Sequence, residues 1–385
     1  MSAYRYYAPK CTLFGYGCLA ALGEEMNRRG YRHALIVTDR ALVKLGIVGK
    51  LAHALEEHSI DYEIFDGAKP NPAISTVEAG LAMLKKHACD VVISLGGGSA
   101  HDCAKAITIV ATNGGNILDY RGTDKSTVAP LPLVAVNTTA GTASECIRAY
   151  VIINEETQEK YGAKDSNCMA AIAVDDHELM MGLPAGLTAG TGMDALTHAV
   201  EAYLSLNGFL LTSELAVSSV KLVFKHLKQA VTRSDEASRE AMAIAQYLAG
   251  LAFGNAGCGL VHSMSHQLSA VYDLPHGLCN AILLPEVCRF HAREERVQER
   301  YAKLSEEVFP LECSGLTTGE KAELLIARIE ALSEAIETRK RLSELGVREE
   351  DLELLAEKAL LDGSLPNNPV QPSKEQIEEI YRTCL

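Results

Sequence analysis

From Ala34 to Asp175, short β-branched runs alternate with longer amphipathic stretches, and this alternation constrains the fold more than any other feature of the chain. ALIVT (34–38) precedes an amphipathic stretch through about Glu57, and DYEIF (61–65) precedes ISTVEAGLAMLKKH (74–87). DVVISL (90–95) precedes HDCAKAITIVAT (101–112), and LPLVAV (131–136) and AIAVD (171–175) complete the set. Near-continuous apolar strands separated by helices mean a parallel sheet covered on both faces. After about Pro184 the β-like runs stop, and the remainder reads as helices over 193–204, 212–230, 237–251 and 324–342. The expected organisation is an α/β nucleotide-binding domain with a parallel Rossmann-like sheet (1–184) followed by an all-α domain (185–385).

A chain of 385 residues with 48% hydrophobic residues can bury two cores, and with 5% aromatics and no Trp the packing falls to Ala, Val, Leu and Ile. The formal charge of −14 argues against nucleic acid or an anionic membrane as partner. The eleven cysteines include no CxxC pair, so neither a disulfide framework nor a zinc ribbon is expected. Free thiols and an N-terminus, MSAYRYYAPK, without an apolar core point to a cytoplasmic protein. The uncharged window 241–261 reaches membrane-spanning length, but its Ala, Gly, Gln246 and Asn255 read as a tightly packed interior helix and loop.

In SLGGGSAHDCAK, three glycines join a strand to a helix start. Glycines let backbone N–H groups approach an oxyanion, and the helix dipole adds to the attraction. Gly97, Gly98 and Ser99 are the phosphate candidates, with Ser99 a possible cap. GYGCLA (15–20) matches GxGxxA but lacks a convincing strand before it, so Gly15 and Gly17 read as a turn. Asp39 ends the first strand, where a carboxylate accepts bonds from a ribose diol and repels a 2′-phosphate, which favours NAD over NADP. The loop NTTAGTASE (137–145) supplies hydroxyls at another strand end.

GLVHSMSHQLSAVYDLPHG places His262, His266 and His276 close together in a chain with twelve histidines, the first two one helical turn apart and the third after a break at Pro275. Upstream, AGTGMDALTHAVEAY carries Asp194 and His198 at the same helical spacing. A carboxylate with imidazoles suits Fe(II), Zn(II), Co(II) or Mn(II). Five candidates exceed four ligands, which leaves one histidine for unligated catalytic work.

With GGGSAHDCAK, TTAGTASE, GMDALTHAVEAY, GLVHSMSHQ and LPHG in this order, the chain resembles the iron-containing (group III) alcohol dehydrogenases over essentially its whole length. It looks nearest to the branch of methanol, 1,3-propanediol and lactaldehyde enzymes. The resemblance implies a dehydroquinate synthase-like fold, NAD and Fe(II) as cofactors, and a homodimer or larger homo-oligomer. It implies Asp194, His198, His262 and His276 as metal ligands, and His266 as an unligated histidine in a proton relay. It also implies cofactor contacts from Asp39, Asn71, Gly97, Gly98, Ser99, Asp102, Thr138, Thr139 and Lys160. The chain departs from the family at Ala143, often Gly there, and at Cys146-Ile147, where Val-Thr is common, so a hydroxyl contact to the cofactor is in doubt at 147.

The implied activity is hydride transfer between NAD(H) and a small primary alcohol or aldehyde. Two alternatives accompany it. A reductase could read a small anionic aldehyde through Arg148, set against an arginine that merely pairs with Glu145 or another acid. A metal- and NAD-using lyase resembling dehydroquinate synthase is the other, although the metal-flanking segments are poor in the Arg and Lys that a phosphorylated substrate needs.

Overall fold

Apolar residues one position apart in each strand face opposite sides of the sheet, and the first half of the chain buries both sides. The computed structural model describes residues 3–157 and 159–385. They form two compact units, one of Tyr6–Gly182 and one of Leu183–Leu385 with residues 3–5.

The first unit contains the strands β1 (Thr12–Phe14), β2 (His33–Val37), β3 (Asp61–Phe65), β4 (Val91–Gly96), β5 (Leu133–Asn137), β6 (Ala149–Asn154), β7 (Glu159–Lys164) and β8 (Ile172–Asp175). Six of them make a parallel sheet in the order β1-β8-β5-β4-β2-β3. Ala34, Ile36, Val91, Ile93, Leu95, Val134 and Val136 face one side, packing on Leu22, Met26, Leu51 and Leu55. Those last four lie on α1 (Leu22–Arg28) and α3 (Ile47–Glu56), with the short α2 (Arg40–Lys44) between. Leu35, Val37, Val92 and Leu133 face the other side, packing on Val77 and Leu84 of α4 (Ile74–His87) and Ala104 and Ile107 of α5 (Gly98–Asn113). Strands β6 and β7 form an antiparallel hairpin that pattern reading misses. CTLF contributes the edge strand β1, and the turn after it is held where Asp176 accepts from Gly17 N and Leu19 N, each at 2.9 Å.

The second unit, as described, is helical: α6 (Ala185–Leu204), α7 (Leu210–Thr232), α8 (Glu236–Ala256), α9 (Leu260–Tyr272), α10 (His276–His291), α11 (Glu295–Val308), α12 (Thr318–Ala335), α13 (Leu352–Leu360) and α14 (Lys374–Cys384). The α12 helix stops short of the expected 342, ending before Ile336 and Glu337, whose φ is +61°. Between α8 and α9 the chain bends by 102° at Gly257–Gly259, and among the described residues no single helix is long and apolar enough to cross a membrane. Gly277 lets the start of α10 lie against α6, since a Cβ there would stand 2.3 Å from the Gly190 carbonyl oxygen. That approach brings His276 toward the Asp194 side of α6.

Candidate metal centre and nucleotide-binding loop

The i,i+4 spacings read from the sequence deliver their side chains inside the helical unit. Asp194 and His198 share one buried face of α6, and His262 is buried on α9. Asp194 Oδ1 stands 3.7 Å from His198 Nδ1, 3.8 Å from His262 Nε2 and 3.6 Å from His276 Nε2. These separations exceed hydrogen-bond distances. They approach the roughly 3.3–3.5 Å between ligand atoms that each lie about 2.0–2.1 Å from one cation. His262 Nε2 is buried with no hydrogen-bond partner. The donor set therefore fits a divalent cation. Ligand atoms of Asp194, His262 and His276 lie within 4.8 Å of one another. His198 falls in a second such group, with Cys258 and His262, so His262 is common to both.

Three residues that pattern reading passed over hold this set. Glu201, two turns after Asp194 on the same face of α6, accepts from His262 Nδ1 at 2.5 Å, Val261 N at 2.6 Å and Gly259 N at 3.0 Å. Burial would raise its carboxyl, yet His262 and the backbone donors hold it below the ordinary range. Burial likewise disfavours an imidazolium at His262, but Cys258 and Glu201 raise its pKa well above the usual value. Asn280, one turn after His276, donates its Nδ2 hydrogens to Asp194 Oδ1 at 2.8 Å and His276 Nε2 at 3.1 Å. Asp362 Oδ2 lies 2.8 Å from His266 Nδ1, and the His266 ring stacks on His276 at 5.3 Å. Spacing could have flagged Glu201 and Asn280; no local signal points to Asp362, 96 residues from its partner.

In the first unit, β4 runs into the glycines and α5 begins at Gly98, three residues before the expected start. The cap position is Gly97, without a side-chain cap, so Ser99 is not the cap. A cap must stand before the first helical turn, and Ser99 is already inside it. Its hydroxyl instead accepts from Asn71 N at 3.3 Å, and Asn71 Oδ1 accepts from Lys160 Nζ at 2.8 Å. Thus Asn71, Ser99 and Lys160, far apart in sequence, form one cluster. A Cβ on Gly97 would stand 3.0 Å from Thr139 Oγ1, and one on Gly98 would stand 3.3 Å from Thr142 Cγ2. Thr138 N donates to Gly96 O at 3.1 Å, tying the TTAGT loop to the glycine loop. Asp102 has both oxygens engaged, accepting from Ser144 Oγ at 2.9 Å and Val151 N at 3.0 Å. Lys105, buried and unremarked in the sequence, donates from Nζ to Ser144 O at 2.7 Å, Ser144 Oγ at 2.9 Å and Ala149 O at 2.7 Å. Asp39 caps α2, its Oδ1 accepting from Ala41 N at 2.7 Å and Leu42 N at 3.0 Å.

Two departures from the family pattern are visible locally. Ala143 adopts φ +50°, a left-handed conformation that glycine tolerates at less cost. Arg148 is paired, but with Asp124 and not Glu145: its Nη1 lies 3.3 Å from both Asp124 oxygens, and its guanidinium stacks 4.3 Å over Tyr7. With that occupation the arginine acts as a brace between Asp124 and Tyr7.

Residues 9–177 match the family described as iron-containing alcohol dehydrogenase. Residues 188–385 match the family described as Fe-containing alcohol dehydrogenase family, C-terminal. The chain is 45% identical over 382 residues to alcohol dehydrogenase 4 of Schizosaccharomyces pombe, covering 99% of this chain and 89% of that protein. It is 43% identical over 380 residues to 1,3-propanediol dehydrogenase of Klebsiella pneumoniae, covering 98% and 97%. It is 40% identical over 383 residues to NAD-dependent methanol dehydrogenase of Bacillus methanolicus, covering 99% of each. A crystal structure of 1,3-propanediol oxidoreductase superposes with a TM-score of 0.97 at 42% identity over all of both chains. With both halves matched and relatives similar over nearly their whole length, the chain belongs to the iron-containing alcohol dehydrogenase family and is an oxidoreductase of that family.

Proposed function

We propose that this protein is an NAD-dependent, iron-using dehydrogenase that interconverts a small primary alcohol and its aldehyde. The observation that carries the reading is Asp194 Oδ1 at 3.6–3.8 Å from three imidazole nitrogens. Asp194, His198, His262 and His276 would hold Fe(II), with Zn(II), Co(II) or Mn(II) as substitutes. When bound, the ion supplies Lewis acidity toward the substrate oxygen and NAD supplies the hydride acceptor. Glu201 keeps the Nδ1 hydrogen on His262, which leaves Nε2 for the ion. His266, a third exposed and paired with Asp362, carries the alcohol proton toward solvent. Gly97, Gly98, Ser99, Thr138 and Thr139 would cradle the pyrophosphate and nicotinamide side of the cofactor, with Asn71 and Lys160 beside them and Asp39 on the ribose. Asp102 acts by ordering that loop.

The methanol dehydrogenase relative, named as NAD-dependent, supports the choice of cofactor. Eleven cysteines without a disulfide support a cytoplasmic setting. Exposed Leu206, Leu210 and Leu211 near the start of α7 support a homodimer or larger assembly. The test is NADH absorbance with anaerobically iron-loaded protein and a panel of methanol, 1,3-propanediol, lactaldehyde and other short alcohols and aldehydes. Turnover with none of them, despite bound iron and NAD, would overturn the reading.

A further inference from the structure

The second ligand group, His198, Cys258 and His262, has a chemistry of its own. Cys258 stands in the loop between α8 and α9, flanked by two glycines that the packing requires. Gly257 has φ +89°, and a Cβ on it would meet Asn367 Nδ2 at 2.4 Å. A Cβ on Gly259 would meet Asn368 Oδ1 at 2.6 Å and Glu201 Oε1 at 3.2 Å. Glu201 accepts from Gly259 N and Val261 N, and Ser205 Oγ donates to the Ala256 carbonyl. The thiol is therefore carried on a loop pinned at both ends and directed at the imidazoles. Its sulfur and the His198 and His262 nitrogens lie within 4.8 Å of one another, and His262 Nε2 is buried without a hydrogen-bond partner.

The geometry points to a second, softer coordination site at this centre: His198, Cys258 and His262 bind a thiophilic divalent ion, zinc, with Cys258 as a thiolate ligand. On binding, the S–H bond breaks, the proton leaves to solvent and an S–metal bond forms, with no change of oxidation state. Sulfur and nitrogen ligands around one zinc ion stand roughly 3.6 Å apart, so from separations within 4.8 Å the group closes by at most about 1.2 Å. Thiolate and imidazole favour zinc over Fe(II), whereas the Asp194 carboxylate suits the harder ion. The two sites share His198 and His262, so they cannot fill together, and Cys258 shifts the balance of the centre toward zinc. The inference rests on the metal-centre reading for the two histidines and adds the sulfur.

The test uses the full-length protein stripped of metal and titrated anaerobically with Co(II), a zinc surrogate whose bond to sulfur gives a charge-transfer absorption in the near ultraviolet. Wild type is expected to show that absorption. Cys258→Ser and Cys258→Ala are expected to bind cobalt without it and to lose zinc affinity by at least about tenfold while keeping Fe(II) affinity. Asp194→Asn is expected to keep the sulfur absorption. Cobalt bound without the absorption in wild type, or an absorption that survives in both Cys258 variants, overturns the thiolate site and leaves the iron reading intact. No cobalt binding at all overturns both.

Discussion

His262 donates its Nδ1 hydrogen to Glu201 Oε2 at 2.5 Å, and its other nitrogen stands 3.8 Å from Asp194 Oδ1. One carboxylate fixes the tautomer, and the other faces the nitrogen thereby left open. Glu201→Gln keeps the side-chain volume and one acceptor oxygen for Gly259 N and His262 Nδ1, but loses the charge and the acceptor for Val261 N. We expect the variant to fold and its metal dissociation constant to rise about 10–100-fold, measured by competition with a chelator. Unchanged affinity would assign Glu201 to loop anchoring alone.

The relay pair predicts a separation of metal binding from rate. His266→Ala should retain metal and lose kcat by about 100-fold or more. Asp362→Asn should shift the pH profile of kcat/KM without altering metal content. Loss of metal from His266→Ala, measured by elemental analysis, would mean that ligand and relay are exchanged.

Asp39 both caps α2 and offers its carboxylate at the end of β2. Asp39→Gly weakens the cap by only a few tenths of a kcal/mol. It should raise the ratio of kcat/KM for NADP over NAD. A ratio unchanged by the substitution would remove the ribose assignment.

His101 follows the glycine loop, buried with its Nδ1 2.7 Å from Ser94 Oγ. Burial, aided by Lys105, lowers its pKa from about 6.5 to about 3. The unfolded chain therefore binds the extra proton between those values, and stability falls as pH drops below about 6.5 toward 3. At pH 5 the loss from this one group is about 2 kcal/mol. His101→Gln, which does not titrate, should lose about 2 kcal/mol less than wild type between pH 7 and pH 5 in urea unfolding. Parallel pH dependence in the two proteins would contradict a neutral buried His101.

The parallel sheet was legible because its central strands are buried on both faces and so read as unbroken apolar runs. The β6–β7 hairpin was not, because β7 alternates exposed and buried residues over the polar sequence EKYGAK. Glycine hid two helix starts. α6 begins at Ala185 and not near Met193, with Gly186, Gly190 and Gly192 in its first turns. Gly192 is there for packing, since a Cβ would fall 2.1 Å from Leu227 Cδ1. At the metal centre, i,i+4 spacing exposed Asp194 and His198 on α6 and His262 and His266 on α9. Glu201 and Asn280 lie at helical spacing from Asp194 and His276, but Asp362 meets His266 across 96 residues, and tertiary pairing of that kind leaves no local trace. Cys258 was invisible for a related reason: it precedes His262 by four residues, but across the bend between α8 and α9.

The central claim is that Asp194 and His276 hold the metal. Its most direct test is metal content by elemental analysis of Asp194→Ala and His276→Ala, each loaded anaerobically with Fe(II) and checked for native folding by circular dichroism. The account predicts folded protein with little bound iron and no turnover in both variants, beside near-stoichiometric iron in wild type. Full iron occupancy in either variant would contradict it.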